Sequence, residues 1–239
     1  DGAGTLIGKT VNTDSLIRNL DARILTNGSK VYYTVESTKT RTWQEGSKTG
    51  IYCGSVNGRK AKLVKTITQK AGNGKIQLVS VYGGKLYYRV NYSVYGDYAR
   101  RTPLYSLNLK TKKVKKVSGD FDSSYTYNSG GDRYLYGASF GKDGLRIFDC
   151  KKDKFIRTIS TASAQGSAID GGRLYYLVTN GEKDYTKIYS ASRSGADRKP
   201  VLEGLPYNTW IDVISKDYIC YRINDRLDGH IYMTATGED

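Results

Sequence analysis

The chain has 239 residues, is 38% hydrophobic, and carries 38 Lys and Arg against 23 Asp and Glu, a net charge of +15. No apolar run approaches the roughly 18 to 20 residues that span a bilayer, one histidine cannot complete a Cys/His zinc cluster, and three cysteines with no C-x-x-C pattern do not make a disulfide framework. The 22 Tyr against 4 Phe, with 27 Gly and only 3 Pro, point instead to many short strands whose thin core lets phenol hydroxyls reach water or backbone.

In chain order, residues 5–11 read as a spare apolar strand, Thr5-Leu6-Ile7-Gly8-Lys9-Thr10-Val11. Residues 14–19 allow at most one helical turn, and no 3.6-residue pattern persists elsewhere. A strand at Ile24-Leu25 then meets the turn Gly28-Ser29, the strand Lys30-Val31-Tyr32-Tyr33, a long loop over residues 36–48, Ile51-Tyr52, the turn Asn57-Gly58, and Leu63-Val64. The second unit repeats this: residues 76–81, Gly83-Gly84, Lys85-Leu86-Tyr87-Tyr88, a loop over 91–101, Leu104-Tyr105, Lys110-Thr111-Lys112, and residues 114–117. The third runs from residues 125–127 through Gly131-Asp132, Arg133-Tyr134-Leu135-Tyr136, Ile147-Phe148 and Lys151-Lys152-Asp153 to Phe155-Ile156. The fourth takes residues 167–169, Gly171-Gly172, Arg173-Leu174-Tyr175-Tyr176, Ile188-Tyr189, Ser194-Gly195-Ala196-Asp197 and Val201-Leu202. The fifth takes residues 210–214, Ser215-Lys216, the weaker copy Asp217-Tyr218-Ile219-Cys220, and Ile231-Tyr232, and stops at Met233-Thr234-Ala235.

The Tyr-Tyr column recurs at separations of 55, 48, 40 and 44 residues, and the Ile-Tyr column at 53, 43, 41 and 43. Two columns with one period define repeated four-stranded units, the pattern of β-propeller blades. The expected fold is all-β: a five-bladed propeller of four-stranded antiparallel blades, one domain over residues 1–239. The blades fall near 17–67, 75–120, 123–160, 164–204 and 207–235. The last lacks its outer strand, so residues 5–11 are expected to supply it and close the ring. Cys53, Cys150 and Cys220 read as small buried hydrophobes.

Ile188-Tyr189-Ser190-Ala191-Ser192-Arg193-Ser194-Gly195-Ala196-Asp197-Arg198 resembles the strand-turn-strand unit of YWTD-type and TolB-type propellers, as does Ile51-Tyr52-Cys53-Gly54-Ser55-Val56-Asn57-Gly58. The Gly-Gly-x-Leu-Tyr-Tyr and Ile-Tyr pattern, with the opening Gly8-Lys9-Thr10-Val11-Asn12, is similar to a family of secreted Gram-positive bacterial propeller domains of unknown function. That resemblance spans nearly the whole chain. It implies fold and a secreted or cell-surface setting, and names no ligand.

An enzyme reading finds little to stand on. Propeller glycosidases use paired carboxylates. None of the five glutamates, Glu36, Glu45, Glu182, Glu203 and Glu238, falls in an expected inner strand. Asp212 does, and Asp170 ends one, where it reads as a turn residue before Gly171-Gly172. His230, the only histidine, starts a strand after Asp228-Gly229. No metal or cofactor is expected. A non-catalytic binding module is the favoured function, with a protein-interaction scaffold and a glycosidase-like enzyme as alternatives.

The candidate ligand-binding residues are Trp43, Tyr95, Tyr98 and Arg100 in the two longest loops, with Tyr125, Tyr207 and Trp210 beside the inner strands. Aromatic faces suit the apolar edges of sugars, and Trp43, Tyr95 and Tyr98 equally suit a surface with no ligand. The cations gather on each outer strand or the turn before it: Arg59, Lys60, Lys62 and Lys65; Lys110, Lys112, Lys113, Lys115 and Lys116; Lys151, Lys152, Lys154 and Arg157; Arg198 and Lys199. Edge protection explains them, and attraction to an anionic wall polymer is their functional reading. The expected partners are an extracellular glycan, a wall polymer or a protein, with no nucleic acid, and the chain is expected to be a monomer.

Overall fold

The computed structural model describes residues 24–37, 48–57, 61–69, 75–91, 103–119, 133–139, 142–160, 162–180, 185–206, 209–214, 217–223 and 231–235. Every regular element among them is a strand. The first sheet holds β1 (Leu25–Asn27), β2 (Lys30–Ser37), β3 (Lys48–Ser55) and β4 (Lys62–Thr68), hydrogen-bonded in that order. The second repeats it with β5 (Lys75–Tyr82), β6 (Lys85–Asn91), β7 (Leu104–Asn108) and β8 (Val114–Ser118). The third holds β9 (Tyr134–Ser139), β10 (Lys142–Asp149) and β11 (Lys154–Ile159). The fourth holds β12 (Ala162–Asp170), β13 (Arg173–Asn180), β14 (Tyr185–Ser192) and β15 (Lys199–Leu205). The fifth holds β16 (Thr209–Ile214), β17 (Tyr218–Ile223) and β18 (Ile231–Ala235). Sheets of antiparallel neighbours in chain order follow directly from short turns, which can join only adjacent strands.

Two of the two-residue turns are glycine pairs. Gly83 and Gly84 adopt φ of 56° and 75°, and Gly171 and Gly172 adopt 52° and 78°. Two consecutive positive φ values give the turn whose twist matches the flanking strands, and only glycine enters them without steric cost. The flanking pairs Tyr82↔Lys85 and Asp170↔Arg173 confirm two-residue loops. Asp170 therefore sits at the turn where its residue type placed it.

Register corrects two copies of the tyrosine column. Tyr33 faces Tyr52, Tyr88 faces Tyr105 and Tyr176 faces Tyr189, as the repeat requires. In the third sheet Phe148 faces Leu135, and in the fifth Tyr232 faces Tyr221. The equivalents of Tyr33 are thus Leu135 and Tyr221, not Tyr136 and Cys220. Sequence similarity cannot see this one-residue slip, because it exchanges the two faces of a strand without changing its composition.

The described strands belong to two compact units, β1–β8 and β9–β18. In the first, Tyr32 and Ile51 of one sheet join Leu78, Leu86, Tyr88 and Leu107 of the next in a single buried cluster. In the second, Tyr136, Leu145 and Ile147 pack with Leu174, Tyr176 and Val178, while Tyr175, Leu177 and Ile188 pack with Ile219. Tyr175 and Tyr176 are adjacent on β13 yet lie in different clusters. Successive strand residues point to opposite faces, so the fourth sheet is buried on both sides. That double burial is the reason for a Tyr-Tyr pair where a half-solvated strand would alternate with polar residues.

Four of the facing pairs stack: Tyr33–Tyr52, Tyr88–Tyr105, Tyr176–Tyr189 and Tyr221–Tyr232, with ring centroids 5.3–5.9 Å apart and planes within 20° of parallel. Offset aromatic pairs of this kind contribute about 0.5–1.5 kcal/mol beyond burial. The third sheet substitutes an edge-on Phe148–Phe155 contact between β10 and β11. Tyr136 is almost fully buried, and its hydroxyl donates to the Arg193 carbonyl at 2.7 Å. Cys150 is buried, Cys53 and Cys220 are half-buried, and none of the three is in a disulfide.

Leu174→Ala is expected to lower the unfolding free energy by about 2–5 kcal/mol in urea titration, since it opens a cavity in a fully buried site. Burial also raises tyrosine pKa values, with Tyr32, beside Cys53, pushed up to about 12 and Tyr88 and Tyr136 raised further. The unfolded chain ionises near 10.0 and the folded one does not. Stability is therefore fully present below pH 10.0 and is lost as pH rises toward about 12. Phenolate absorbance is expected to rise together with loss of β-structure in that window. Ionisation of these buried tyrosines with the fold intact would contradict it.

Candidate functional site

β4, β8, β11 and β15 are edge strands, each paired on one side only in its sheet. Their pairing with the preceding strand breaks at one recurring place: between Ile51 and Tyr52, Leu104 and Tyr105, Ile147 and Phe148, and Ile188 and Tyr189. An extra residue there bends and twists the edge, which hinders pairing with another sheet. These strands and the turns before them carry the expected cations. Lys62, Lys110, Lys112, Lys113, Lys115, Lys116, Lys151, Lys152, Lys154, Arg157, Arg198 and Lys199 are all exposed, and Lys65 is half-exposed. Arg59 and Lys60 lie outside the described residues.

Arginine and lysine divide the work. The Arg146 guanidinium lies 3.6 Å from the Phe155 ring centroid, and that of Arg198 lies 3.5 Å from the Tyr189 ring. Arg173 donates to Ser190 Oγ at 3.0 Å, and the buried Arg89 donates to Gln77 Oε1. The planar guanidinium stacks and forks, so it is used within the sheets. Lysine is left outside as a flexible point charge. Lys187 pairs with Glu203 at 3.0 Å on the surface, an ion pair of little energetic consequence.

The turn between β7 and β8 has its own geometry. Asn108 Oδ1 accepts from the amides of Lys110 and Thr111 at 3.0 and 2.8 Å, and the Asn108 carbonyl accepts from Lys112 N–H at 2.9 Å. Lys112 itself has φ of 60°, in the left-handed region, and its ammonium donates to the Leu109 carbonyl at 2.6 Å. Asp153 and Asp197 adopt the same conformation in the two corresponding turns. Aspartate tolerates it well, while lysine incurs a steric penalty of about 1 kcal/mol or more. The stretch from Lys110 to Lys116 holds five lysines in seven residues.

Charge divides at residue 121, where the main segment of the first unit ends, a signal that a count along the whole chain conceals. Residues 1–121 contain 22 Lys and Arg against 7 Asp and Glu. Residues 122–239 contain 16 against 16. The entire net charge therefore belongs to the first half.

Of the candidate ligand-binding residues, Trp43, Tyr95, Tyr98, Arg100, Tyr125 and Tyr207 lie outside the described residues. Trp210 is placed in β16, opposite Arg222. Asp212 occupies the irregular position of β16, where Ile211 faces Tyr221 and Val213 faces Cys220. His230, Glu45, Glu182, Glu238 and residues 5–11 are likewise outside the described residues. Among the described residues no three His, Cys, Asp or Glu side chains group as a metal site, and no helix is long and apolar enough to cross a membrane.

Solved structures share this arrangement. The chain is similar to the β-propeller domain of the Trilobed protease from Pyrococcus furiosus, at 13% identity over 92% of this chain and 70% of that one, with a TM-score of 0.53. The fold is a β-propeller. An acylaminoacyl peptidase in complex with Z-Gly-Gly-Phe-chloromethyl ketone matches at 13% identity and TM-score 0.51, over 93% of this chain and 39% of that one. An oligogalacturonate lyase in complex with manganese matches at 8% identity and TM-score 0.51, over 90% of this chain and 65% of that one. The propeller thus spans less than two thirds of either enzyme. At these identities the likeness reaches the fold alone. No family model matches the chain, and no curated protein matches it.

Asn108→Ala is expected to cost about 1–2 kcal/mol in chemical denaturation, because two amides lose their acceptor. Lys112→Gly is expected to stabilise by about 1 kcal/mol through relief of the left-handed conformation. A destabilised Lys112→Gly would show that the Lys112–Leu109 hydrogen bond outweighs the backbone term.

Proposed function

We propose that this propeller is a non-catalytic extracellular binding module whose ligand is a carbohydrate or an anionic cell-wall polymer. The carrying observation is the row of exposed lysines on the edge strands and their turns, beside which Arg146 and Arg198 lie on aromatic rings. A cationic surface raises the local concentration of a polyanion without any shaped pocket. Export to the surface of a Gram-positive bacterium follows from the family resemblance and stands with this proposal, as does a monomeric state.

The same reading takes the five sheets as five blades of one domain over residues 1–239, closed by residues 5–11 pairing with β18. Its support is that, among the described residues, no strand follows β18 in the fifth sheet. β18 carries the Ile231-Tyr232 step that meets an outer strand in the other sheets, and its Met233 is exposed. The similar protease propeller is described as having an open velcro topology, so closure requires its own test. Removal of residues 1–11 is expected to lower the melting temperature, and unchanged melting would leave the ring without this strand.

Sedimentation with purified Gram-positive cell walls, with and without teichoic acid, tests the ligand across a salt series. Retention that disappears with teichoic acid and falls steeply with salt is the expected result. Salt-resistant retention would assign binding to aromatic contacts with a glycan. Absence of retention at every salt concentration would remove the wall ligand and favour a protein partner.

A further inference from the structure

The cations of the second sheet are packed more densely than at the other edges: residues 110–116 hold five, where the equally carboxylate-free stretch 59–65 of the first sheet holds four. Residues 75–91 and 103–119, which hold all of β5–β8, contain no Asp or Glu, while Lys75, Lys85, Arg89, Lys110, Lys112, Lys113, Lys115 and Lys116 are all present. The corresponding edges of the second unit interleave carboxylates: Asp149 and Asp153 around Lys151, Lys152 and Lys154, and Asp197 and Glu203 around Arg198 and Lys199. Edge protection needs a charge or two on a strand. Five lysines from Lys110 to Lys116 repel one another with no carboxylate inside the stretch, and one occupies a strained backbone position. Such a cost is retained where the charge has a use.

Resting on the binding reading above, we infer that the β7–β8 hairpin is the docking element for a flexible, phosphate-bearing linear polymer. Three features set the class of partner. The hairpin presents ammonium groups only, which meet phosphate oxygens as point charges and lack the planar fork that reads base edges. Its exposed stretch, Lys110 to Lys116, contains no aromatic side chain on which a base would stack. Lys115 and Lys116 are successive strand residues and project to opposite faces, with Lys110, Lys112 and Lys113 at the hairpin end between them. Charge on both faces and around the tip suits a chain that bends around the hairpin, and a rigid duplex would reach one face alone. Asn108 holds the turn, so the lysines project from a fixed backbone.

The test uses the full chain and labelled synthetic poly(glycerol phosphate), with anisotropy measured across a salt series. A hairpin variant combines Lys110→Gln, Lys113→Gln, Lys115→Gln and Lys116→Gln. A control variant combines Lys151→Gln, Lys152→Gln, Lys154→Gln and Lys199→Gln and removes the same formal charge. The hairpin variant is expected to bind roughly tenfold or more weakly, with the salt slope reduced by about 0.7 for each lost phosphate contact, and to melt no lower than the unmodified chain. The control variant is expected to keep both affinity and slope. Equal losses in the two variants would overturn the hairpin assignment and leave a module that binds by net charge. A hairpin variant that aggregates at unchanged affinity would make these lysines edge guards and overturn it as well. Tighter binding of single-stranded oligothymidylate than of poly(glycerol phosphate) at equal salt would overturn the polymer class in favour of nucleic acid. Lack of binding by the unmodified chain would remove the underlying binding reading itself.

Discussion

The constraint on which the rest depends is that an interior sheet is covered on both faces. A strand in such a sheet cannot alternate apolar with polar residues, since both sets of side chains meet another sheet. Tyr175 and Tyr176 show the outcome: neighbours in sequence, buried to the same degree, and committed to different clusters. Tyrosine meets this requirement because its ring fills the space and its hydroxyl can find a partner, as Tyr136 finds the Arg193 carbonyl. Stacking of Tyr33 on Tyr52, and its repetition in three further sheets, then ties the second strand of each sheet to the third.

Once the interior is built this way, each sheet still ends in an open edge. The fold meets that liability with bulges opposite a recurring apolar-aromatic step and with lysine on the strand itself. Structural need and functional opportunity coincide there, which makes the excess informative. The third and fourth sheets carry mixed charge at their edges, as protection alone requires. The second sheet carries five lysines in seven residues and accepts a left-handed Lys112, and the proposed docking role of this hairpin rests on that surplus.

Much of the architecture was legible along the chain. Gly83-Gly84 and Gly171-Gly172 mark turns because positive φ excludes most other residues, and the Tyr-Tyr and Ile-Tyr columns mark the strands they join. Asp170 and the cations of β8 and β11 likewise lie where the pattern placed them. The candidate site was less legible. Trp43 and Tyr95, which lie outside the described residues, belong to segments whose sequence sets no period, and no local rule assigns them a neighbour. The concentration of charge in residues 1–121 needed no structure to be counted. It became meaningful only when the division into two units supplied the boundary.

By itself the sequence determined the period of the strands, the places of the tight turns and the lysine content of every fourth strand, because each follows from interactions within a few residues. The tertiary structure alone decided which face each side chain takes. Leu135 and Tyr221, not Tyr136 and Cys220, stand opposite the aromatic residues of the next strand. It also decided that Arg146 and Arg198 lie on aromatic rings while the lysines remain in water. A one-residue slip leaves composition and spacing nearly unchanged and reverses inside and outside. Only the contact of one sheet with the next selects between the two.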